Sequence, residues 1–428
     1  MATQPLTLAR RLMTTLVKPE VVRQEASRLG VVDRQGKVDS FSLAMVVAFG
    51  IFAKQDASIA QLGRLYGEST GDRVARSSFW DRLTPAFADL MNGVLRRLLA
   101  HAESKPRQPK GSLRAFRDVL AADATVLKVH DDLAQEFKGT RKNSAKAAIK
   151  VHAISRVATG ELLRADVTAE AVSDSKAFRA TPTLRGSLIL FDRGYASPTL
   201  WRKISKQGAF FLTRIPKGWN LIVSKDNGRH RGRARDLMGK NLRAELATLQ
   251  RKVVDVDVIF RCRVRGYGGR RSRKVDEVFR VVAVRKPDGE YNLYVTNAPP
   301  TKLAASVVAK TYRLRWEVET LFKAAKTGLH LPPPRTSRKG ATLALIYAGL
   351  IRVALAMLVR RATLRESPLQ SGTINLLQWA RWWKRHHTAL LKRLVPWEAL
   401  SDDDVLAMLR DPNIKRGSLR ASFSAGEL

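Results

Sequence analysis

Apolar residues recur at helical spacing through the first hundred positions. Phe41–Phe49 (FSLAMVVAF) and Phe87–Leu99 (FADLMNGVLRRLL) carry the pattern most clearly, so residues 1–105 are expected to be helical. Between them, Ser58–Tyr66 and Arg76–Leu83 flank a Gly/Ser-rich turn. That spacing fits a helix-turn-helix whose second helix is capped by Ser77 or Ser78, or else an ordinary helical hairpin. Glu103–Ser112 (ESKPRQPKGS) has the composition of a linker. After it the period becomes strand-like. Asp118–Val129, Ala147–Ser155 and Glu161–Thr168 are rich in apolar and β-branched residues and read as three successive strands. Ser187–Phe191 is short and almost wholly apolar, ends at Asp192, and has the pattern of a central strand. Ser173–Ala180 and Pro198–Gln207 read as helices, and Ala209–Arg214 as a further strand.

Residues 215–300 change character. Val253–Val264 and Val275–Val284 alternate as strands and are joined by a basic loop, Arg265–Lys274. Tyr291–Asn297 is another strand, entered by a Pro-Asp-Gly turn. The whole is an α/β fold. A core in two parts, 113–214 and 301–362, is interrupted by a β-rich insertion at 215–300, preceded by the helical region and followed by a helical C-terminal region and tail at 363–428. The most hydrophobic run, Ala341–Val359, is interrupted by Arg352. An uninterrupted span of about 20 apolar residues is the norm for a membrane crossing, so a buried helix packed on the central sheet is expected instead, with no membrane partner. Leu376–His387 mixes tryptophans with cations, which suits either a core helix or a contact surface.

Charge narrows the partner. The 428 residues hold 77 Lys+Arg against 38 Asp+Glu, a formal net charge of +39, which calls for a polyanion. The surplus is uneven: residues 201–300 carry 24 basic against 9 acidic side chains, whereas 111–200 carry 14 against 10. The acids are thus relatively dense where metal ligands are sought, and the basic tip Arg270, Arg271, Arg273 and Lys274 is expected to face DNA. A hydrophobic content of 45% argues for packed cores rather than a histone-like binder. The single cysteine, Cys262, excludes an internal disulfide and a multi-cysteine zinc site. The first twenty residues hold no apolar run of secretory-signal length, and a cytoplasmic, nucleoid-associated location is expected.

The most informative segment is Tyr312–Gly328 (YRLRWEVETLFKAAKTG). Placed on one helix, Tyr312, Arg315, Glu319, Phe322 and Lys326 share a face, while Glu317 lies about 200° around from Glu319. A carboxylate between two cations and aromatic rings suits a divalent metal beside a phosphate backbone. Two divalent ions can clamp the attacking and leaving oxygens of phosphodiester cleavage, and magnesium takes oxygen ligands. Such a site needs about three carboxylates from separate elements. Asp123 within an early strand, Asp192 at the end of a buried one and Glu319 on the cationic helix are the candidates. Asp131 and Asp132 are adjacent and point apart. Asp402–Asp404 follow Ser401 and read as a helix N-terminal cluster. The histidines are scattered, and no Gly-rich phosphate loop is present.

Asp123-Ala-Thr, Phe191-Asp192-Arg-Gly-Tyr195, Tyr294-Val-Thr-Asn297 and Tyr312-x2-Arg315-x3-Glu319-x6-Lys326 together resemble the bacterial DDE transposases of the insertion sequence 4 family, whose Tyr-Arg-Glu-Lys signature has this spacing; Arg315-Trp316 is also typical. The resemblance is strong over about residues 115–330. It implies a ribonuclease-H-like catalytic core with a β-rich insertion. It also implies two Mg2+ (or Mn2+) ions held by Asp123, Asp192 and Glu319. Tyr312, Arg315 and Lys326 would contact the phosphates at the transposon end, with Trp316, Arg193 and Tyr195 beside them. An aromatic residue of the insertion would stack at a flipped base, and Tyr291 is the candidate. The implied activity is cut-and-paste transposition at terminal inverted repeats through a hairpin intermediate. The implied partners are double-stranded DNA, at transposon ends and target, and a second copy in a synaptic homodimer. The alternatives are a catalytically silent end-binding protein or transposition inhibitor, and a host nuclease acting on branched DNA.

Overall fold

The helical start follows the apolar pattern. Helices α1 (Pro5–Leu16), α2 (Pro19–Arg28), α3 (Ser40–Phe49), α4 (Arg76–Asp81) and α5 (Pro85–Glu103) occupy it. Capping sets their boundaries. The Asp39 carboxylate accepts from the Ser42 N–H at the start of α3, and the Thr84 hydroxyl from the Phe87 N–H at the start of α5, where Pro85 occupies the first turn. In a computed structural model of the chain, the described residues are 5–31, 38–50, 62–63, 66, 76–140, 146–227, 237–264, 273–329, 331, 336–366 and 374–392. Most of the first arm of the expected helix-turn-helix lies outside them, as do Arg270, Arg271, His230, His330 and residues 393–428. Ser77 and Ser78 lie within α4 rather than at its cap.

Among the described residues nine strands follow: β1 (Val119–Lys128), β2 (Ala148–Arg156), β3 (Leu162–Ala169), β4 (Leu188–Phe191), β5 (Phe210–Arg214), β6 (Ile222–Asp226), β7 (Val253–Val264), β8 (Arg273–Arg285) and β9 (Tyr291–Thr296). They form one sheet in the order β3-β2-β1-β4-β5-β9-β8-β7-β6. β1, β4 and β5 run parallel, and the remaining pairings are antiparallel. The β-rich stretch joins this sheet directly, because β9 pairs with β5. The Pro-Asp-Gly turn forms as expected before β9, with Gly289 at φ 87°, in the left-handed region that glycine tolerates. β6 was not anticipated; its ending in Ser-Lys-Asp is too polar for the strand pattern.

Helices α6 (Asp174–Ala177), α7 (Pro198–Lys206), α8 (Leu242–Leu246), α9 (Ala305–Arg313) and α10 (Trp316–Thr327) lie among the strands, and α11 (Lys339–Glu366) and α12 (Leu376–Lys392) follow. One sheet face packs Val119, Ala121, Leu188, Leu190, Leu212 and Tyr294 against Val308, Tyr312 and Val318 of α9 and α10. The other face carries Ile189, Phe191 and Phe211 into a core shared with Trp201 and the N-terminal helices.

Two expectations are corrected. The long apolar helix, here α11, does not rest mainly on the sheet. Among the described residues it is sheathed by α5, α1 and α3 and meets the sheet mainly at β3. It is apolar on all sides, so it needs cover all round, which a flat sheet cannot give. It is long and apolar enough to cross a membrane by composition alone, yet 83% of its most apolar window is buried inside the protein. Arg352, fully buried in it, donates to the Ala48 carbonyl at 2.7 Å. The second correction concerns Tyr312–Gly328, which is two helices. Leu314 and Arg315 form a break closed by i→i−3 bonds (Leu314 N–H to Thr311, Arg315 to Tyr312, Glu317 to Leu314). Arg315, at this break, lies between Asp123 of β1 and Glu319 of α10.

A buried ion network joins the helical region to the sheet. Arg156 pairs with Asp118 at 2.7 Å and with Glu161; Arg361 of α11 meets the other Glu161 oxygen at 2.7 Å. Arg156 also donates to the Ala102 carbonyl at the end of α5, and Arg361 to Lys105 in the linker.

Candidate active site

The site is built on two parallel strands and a helix. β1 and β4 pair Ala121 with Leu190 and Ala122 with Phe191. Continuing that register sets Asp123 level with Asp192. Side chains alternate along a strand, and Ala121 and Leu190 both enter the core beneath α9 and α10. Two residues on, Asp123 and Asp192 project on the same face. α10 packs on β1, and its first turn supplies Glu319.

Arg315 lies between them, only 7% exposed. Its Nη1 is 3.5 Å from Asp123 Oδ2 and its Nη2 is 2.5 Å from Glu319 Oε1. Asp123 Oδ1 also accepts from the Ala124 N–H at 2.8 Å. Burial nevertheless pushes the Asp123 carboxyl up to about 6, opposed by the Ala124 hydrogen bond and Arg315 and assisted by repulsion from Asp192 and Glu319. The upward shift despite an arginine at 3.5 Å shows that desolvation outweighs a pair of that length. The Tyr195 phenol is pushed up by burial, then by Asp174, Asp123 and Asp192. Tyr312 is pushed up by burial too; Asp192 adds to the shift, while Arg315 and Arg214 counter it. Asp123, Asp192, Glu319, Arg315 and Tyr312 thus act on one another electrostatically.

The other sequence candidates fall as follows. Trp316 is 62% exposed, with the Arg315 guanidinium 5.8 Å from its ring centroid. Arg193 is exposed on the turn after Asp192, and Lys326 is exposed in the last turn of α10. Tyr195 is buried against Phe191 and Phe178, facing the opposite core. Tyr291 is tied to the fold, its hydroxyl donating to the Arg251 and Leu249 carbonyls at 2.6 and 3.1 Å. Arg273 and Lys274 are exposed at the start of β8, away from the acids along the sheet. Asn297 of the Tyr-Val-Thr-Asn motif is a clamp: its Oδ1 accepts from the Phe211 N–H, and its Nδ2 donates to Ser205 and Ala209.

Sequence reading missed two groups here. Asp174 at the start of α6 lies against the turn after Asp192: a Cβ on Gly194 would meet its Oδ2 at 2.8 Å. Its Oδ1 is 3.1 Å from Lys150 Nζ and 3.7 Å from His152 Nδ1. Nothing in its local sequence marks it. Arg214, ending β5, did carry a signal: a charge closing an apolar strand, as Asp192 closes β4.

Residues 114–351, spanning all of these elements, match the transposase DDE domain. The chain belongs to that family. Over 204 residues it is 24% identical to a putative transposase, y4zB, of Sinorhizobium fredii, covering 48% of this chain and 51% of that one. The chain thus spans about half the length of that relative. It is 21% identical over 365 residues to the transposase for insertion sequence element IS231E of Bacillus thuringiensis, covering 79% of this chain and 76% of that one. A structure of the piggyBac transposase synaptic complex with hairpin DNA covers 96% of this chain and 86% of that one at 11% identity. Its TM-score against this chain is 0.49.

A DDE domain implies divalent-metal use in general. The donor set here fits such an ion in kind, being oxygen donors from carboxylates of which Asp123 is partly desolvated. Among the described residues, no three His, Cys, Asp or Glu side chains are gathered closely enough to cage one. The Arg315 guanidinium occupies the space between Asp123 and Glu319, and positive charge is already held there.

Proposed function

We propose that the chain is a cut-and-paste DNA transposase of the insertion sequence 4 type, with a ribonuclease-H-like core. The bridging of Asp123 on β1 and Glu319 on α10 by Arg315, with Asp192 following neighbouring β4, supports this reading. In it the three acids hold divalent cations, which when bound activate the nucleophile and stabilise the leaving oxygen. The chain's own groups orient the DNA. Arg315 and Tyr312 border the acids, Trp316 and Arg193 stand exposed at the rim, and Lys326 extends the cationic edge two helical turns on. Water hydrolyses one phosphodiester at the element's end and frees a 3′-hydroxyl. That hydroxyl then displaces at the opposite strand to give a hairpin, and the reopened end later attacks target DNA. Two ends must be held together, so the working form is a homodimer on double-stranded DNA.

The test uses purified protein, Mg2+ and a labelled terminal inverted repeat. Wild type nicks the end, and Glu319→Gln binds without cutting. Cleavage by Glu319→Gln at the wild-type rate removes the assignment. End binding by wild type without any cleavage leaves the silent end-binding reading in its place.

A further inference from the structure

β4 is short, and Asp192 stands one position beyond its last residue, Phe191. The acid is therefore placed by the turn Arg193–Tyr195 rather than by the strand ladder. One support of that turn comes from β5, where the Thr213 hydroxyl donates to the Asp192 carbonyl at 3.2 Å. A second comes from α6. The Asp174 carboxylate lies against Gly194, where a Cβ would come within 2.8 Å of its Oδ2. Gly194 does not have a positive φ, so space rather than backbone conformation demands glycine there. Phe178, just after α6, makes T-shaped contacts with Phe191 and Tyr195, at 4.9 and 6.3 Å between ring centroids. A carboxylate and a ring from one short segment thus grip the turn.

Asp174 is itself braced by β2. Its Oδ1 lies 3.1 Å from Lys150 Nζ and 3.7 Å from His152 Nδ1. Lys150 Nζ also donates to the Val172 carbonyl at 3.2 Å, and the buried His152 is fixed through Nε2 to the Thr168 hydroxyl of β3 at 2.9 Å. β2 pairs with β1 as well, with Ala153 opposite Asp123 and His152 opposite Ala124. Directly opposed residues share a face and successive residues alternate, so His152 lies on the reverse of the sheet from the Asp123 side chain. One strand therefore buttresses both acids from behind, Asp123 through the ladder and Asp192 through Asp174. A largely buried ion pair is a weak source of stability, because lost hydration offsets the attraction. Its effect here is on position.

We propose that Asp174 is a positioning residue: from behind the sheet it fixes the turn that carries Asp192, and with it the spacing of Asp192 and Asp123 that a divalent ion demands. This rests on the transposase reading above, in which both acids are ligands. Magnesium accepts little departure from octahedral geometry, whereas calcium tolerates irregular sites. A loosened Asp192 weakens magnesium more than calcium. Mere removal of a nearby negative charge weakens both alike.

The experiment follows the urea midpoint of the full-length protein, free of DNA, against Mg2+ or Ca2+ concentration, since an ion that binds only the folded state raises the midpoint according to its affinity. Cleavage of a labelled transposon end is followed against Mg2+ in parallel. Asp174→Ala is expected to weaken Mg2+ binding on the order of tenfold or more, the usual scale for groups that orient metal ligands, and Ca2+ binding by clearly less. The Mg2+ needed for half-maximal cleavage should rise by the same factor, with most of the rate returning at saturating metal. Gly194→Ala, which pushes a methyl group against the carboxylate, should act in the same direction and add little to Asp174→Ala. Asp174→Asn keeps the side-chain shape and carries the same expectation should Asp174→Ala not fold. A lower metal-free midpoint with an unmoved Mg2+ dependence, equal losses for the two ions, or losses from Gly194→Ala and Asp174→Ala that multiply overturn the assignment. Asp192→Asn is the reference. If it binds Mg2+ and cuts as wild type does, the transposase reading itself has failed. If it loses both while Asp174→Ala keeps both, only the role of Asp174 has.

Discussion

The Asp123 carboxyl allows a quantitative test. Burial lifts it from 3.8 to about 6. Each tenfold change in an ionisation equilibrium is worth about 1.4 kcal/mol, so the lift corresponds to about 3 kcal/mol of preference for the neutral form. The side chain is 21% exposed, so screening by solvent is limited. The folded-state value lies above the unfolded one, and the group therefore destabilises the fold when ionised. The penalty is absent below about pH 4, grows between 4 and 6, and is complete above 6. Asp123→Asn keeps the acceptor for the Ala124 N–H and leaves Arg315 paired with Glu319. With metal removed by chelation, the variant should be more stable than wild type by up to about 3 kcal/mol at pH 7.5 and about equal to it at pH 4. Urea denaturation of both proteins at the two pH values is the assay. Adding Mg2+ should raise wild-type stability and leave the variant unmoved. A variant equal to or weaker than wild type at pH 7.5 would refute the argument that this acid is held in place at the expense of stability.

Two further outcomes follow from the geometry. Glu161→Ala leaves Arg156 and Arg361 short of a partner inside the protein, which should cost about 3–5 kcal/mol in urea denaturation and loosen the N-terminal helices from β2 and β3; a wild-type midpoint would show the network contributes nothing. Trp316→Ala removes a ring that is 62% exposed, so stability should stay within about 0.5 kcal/mol of wild type, while binding to a DNA end with unpaired bases weakens by about 1–3 kcal/mol. Unchanged end binding in a fluorescence anisotropy titration would remove Trp316 from the DNA surface.

What the amino-acid order determined by itself was local. Eight of the nine strands stood out because alternation and apolar runs are properties of neighbouring residues, and β6 was missed because its residues are too polar to show either. The pairing of Arg315 with Glu319 was implicit in a separation of four residues. The Pro-Asp-Gly turn and the linker after Glu103 were readable for the same reason. Tertiary structure alone decided what depends on pairing across long stretches of chain. Asp123 and Asp192 are neighbours only because β1 and β4 are parallel and in a particular register, and one residue of slip would send one of them to the opposite face. Arg214 joins them through the same register in the next strand, with Asn292 reaching it from β9. Asp174 meets Gly194 from a one-turn helix with no distinctive sequence. The break at Leu314–Arg315 was hidden because every residue there favours a continuous helix; the pull of two acids on a buried guanidinium, a long-range electrostatic term absent from local propensity, goes with the tighter turn.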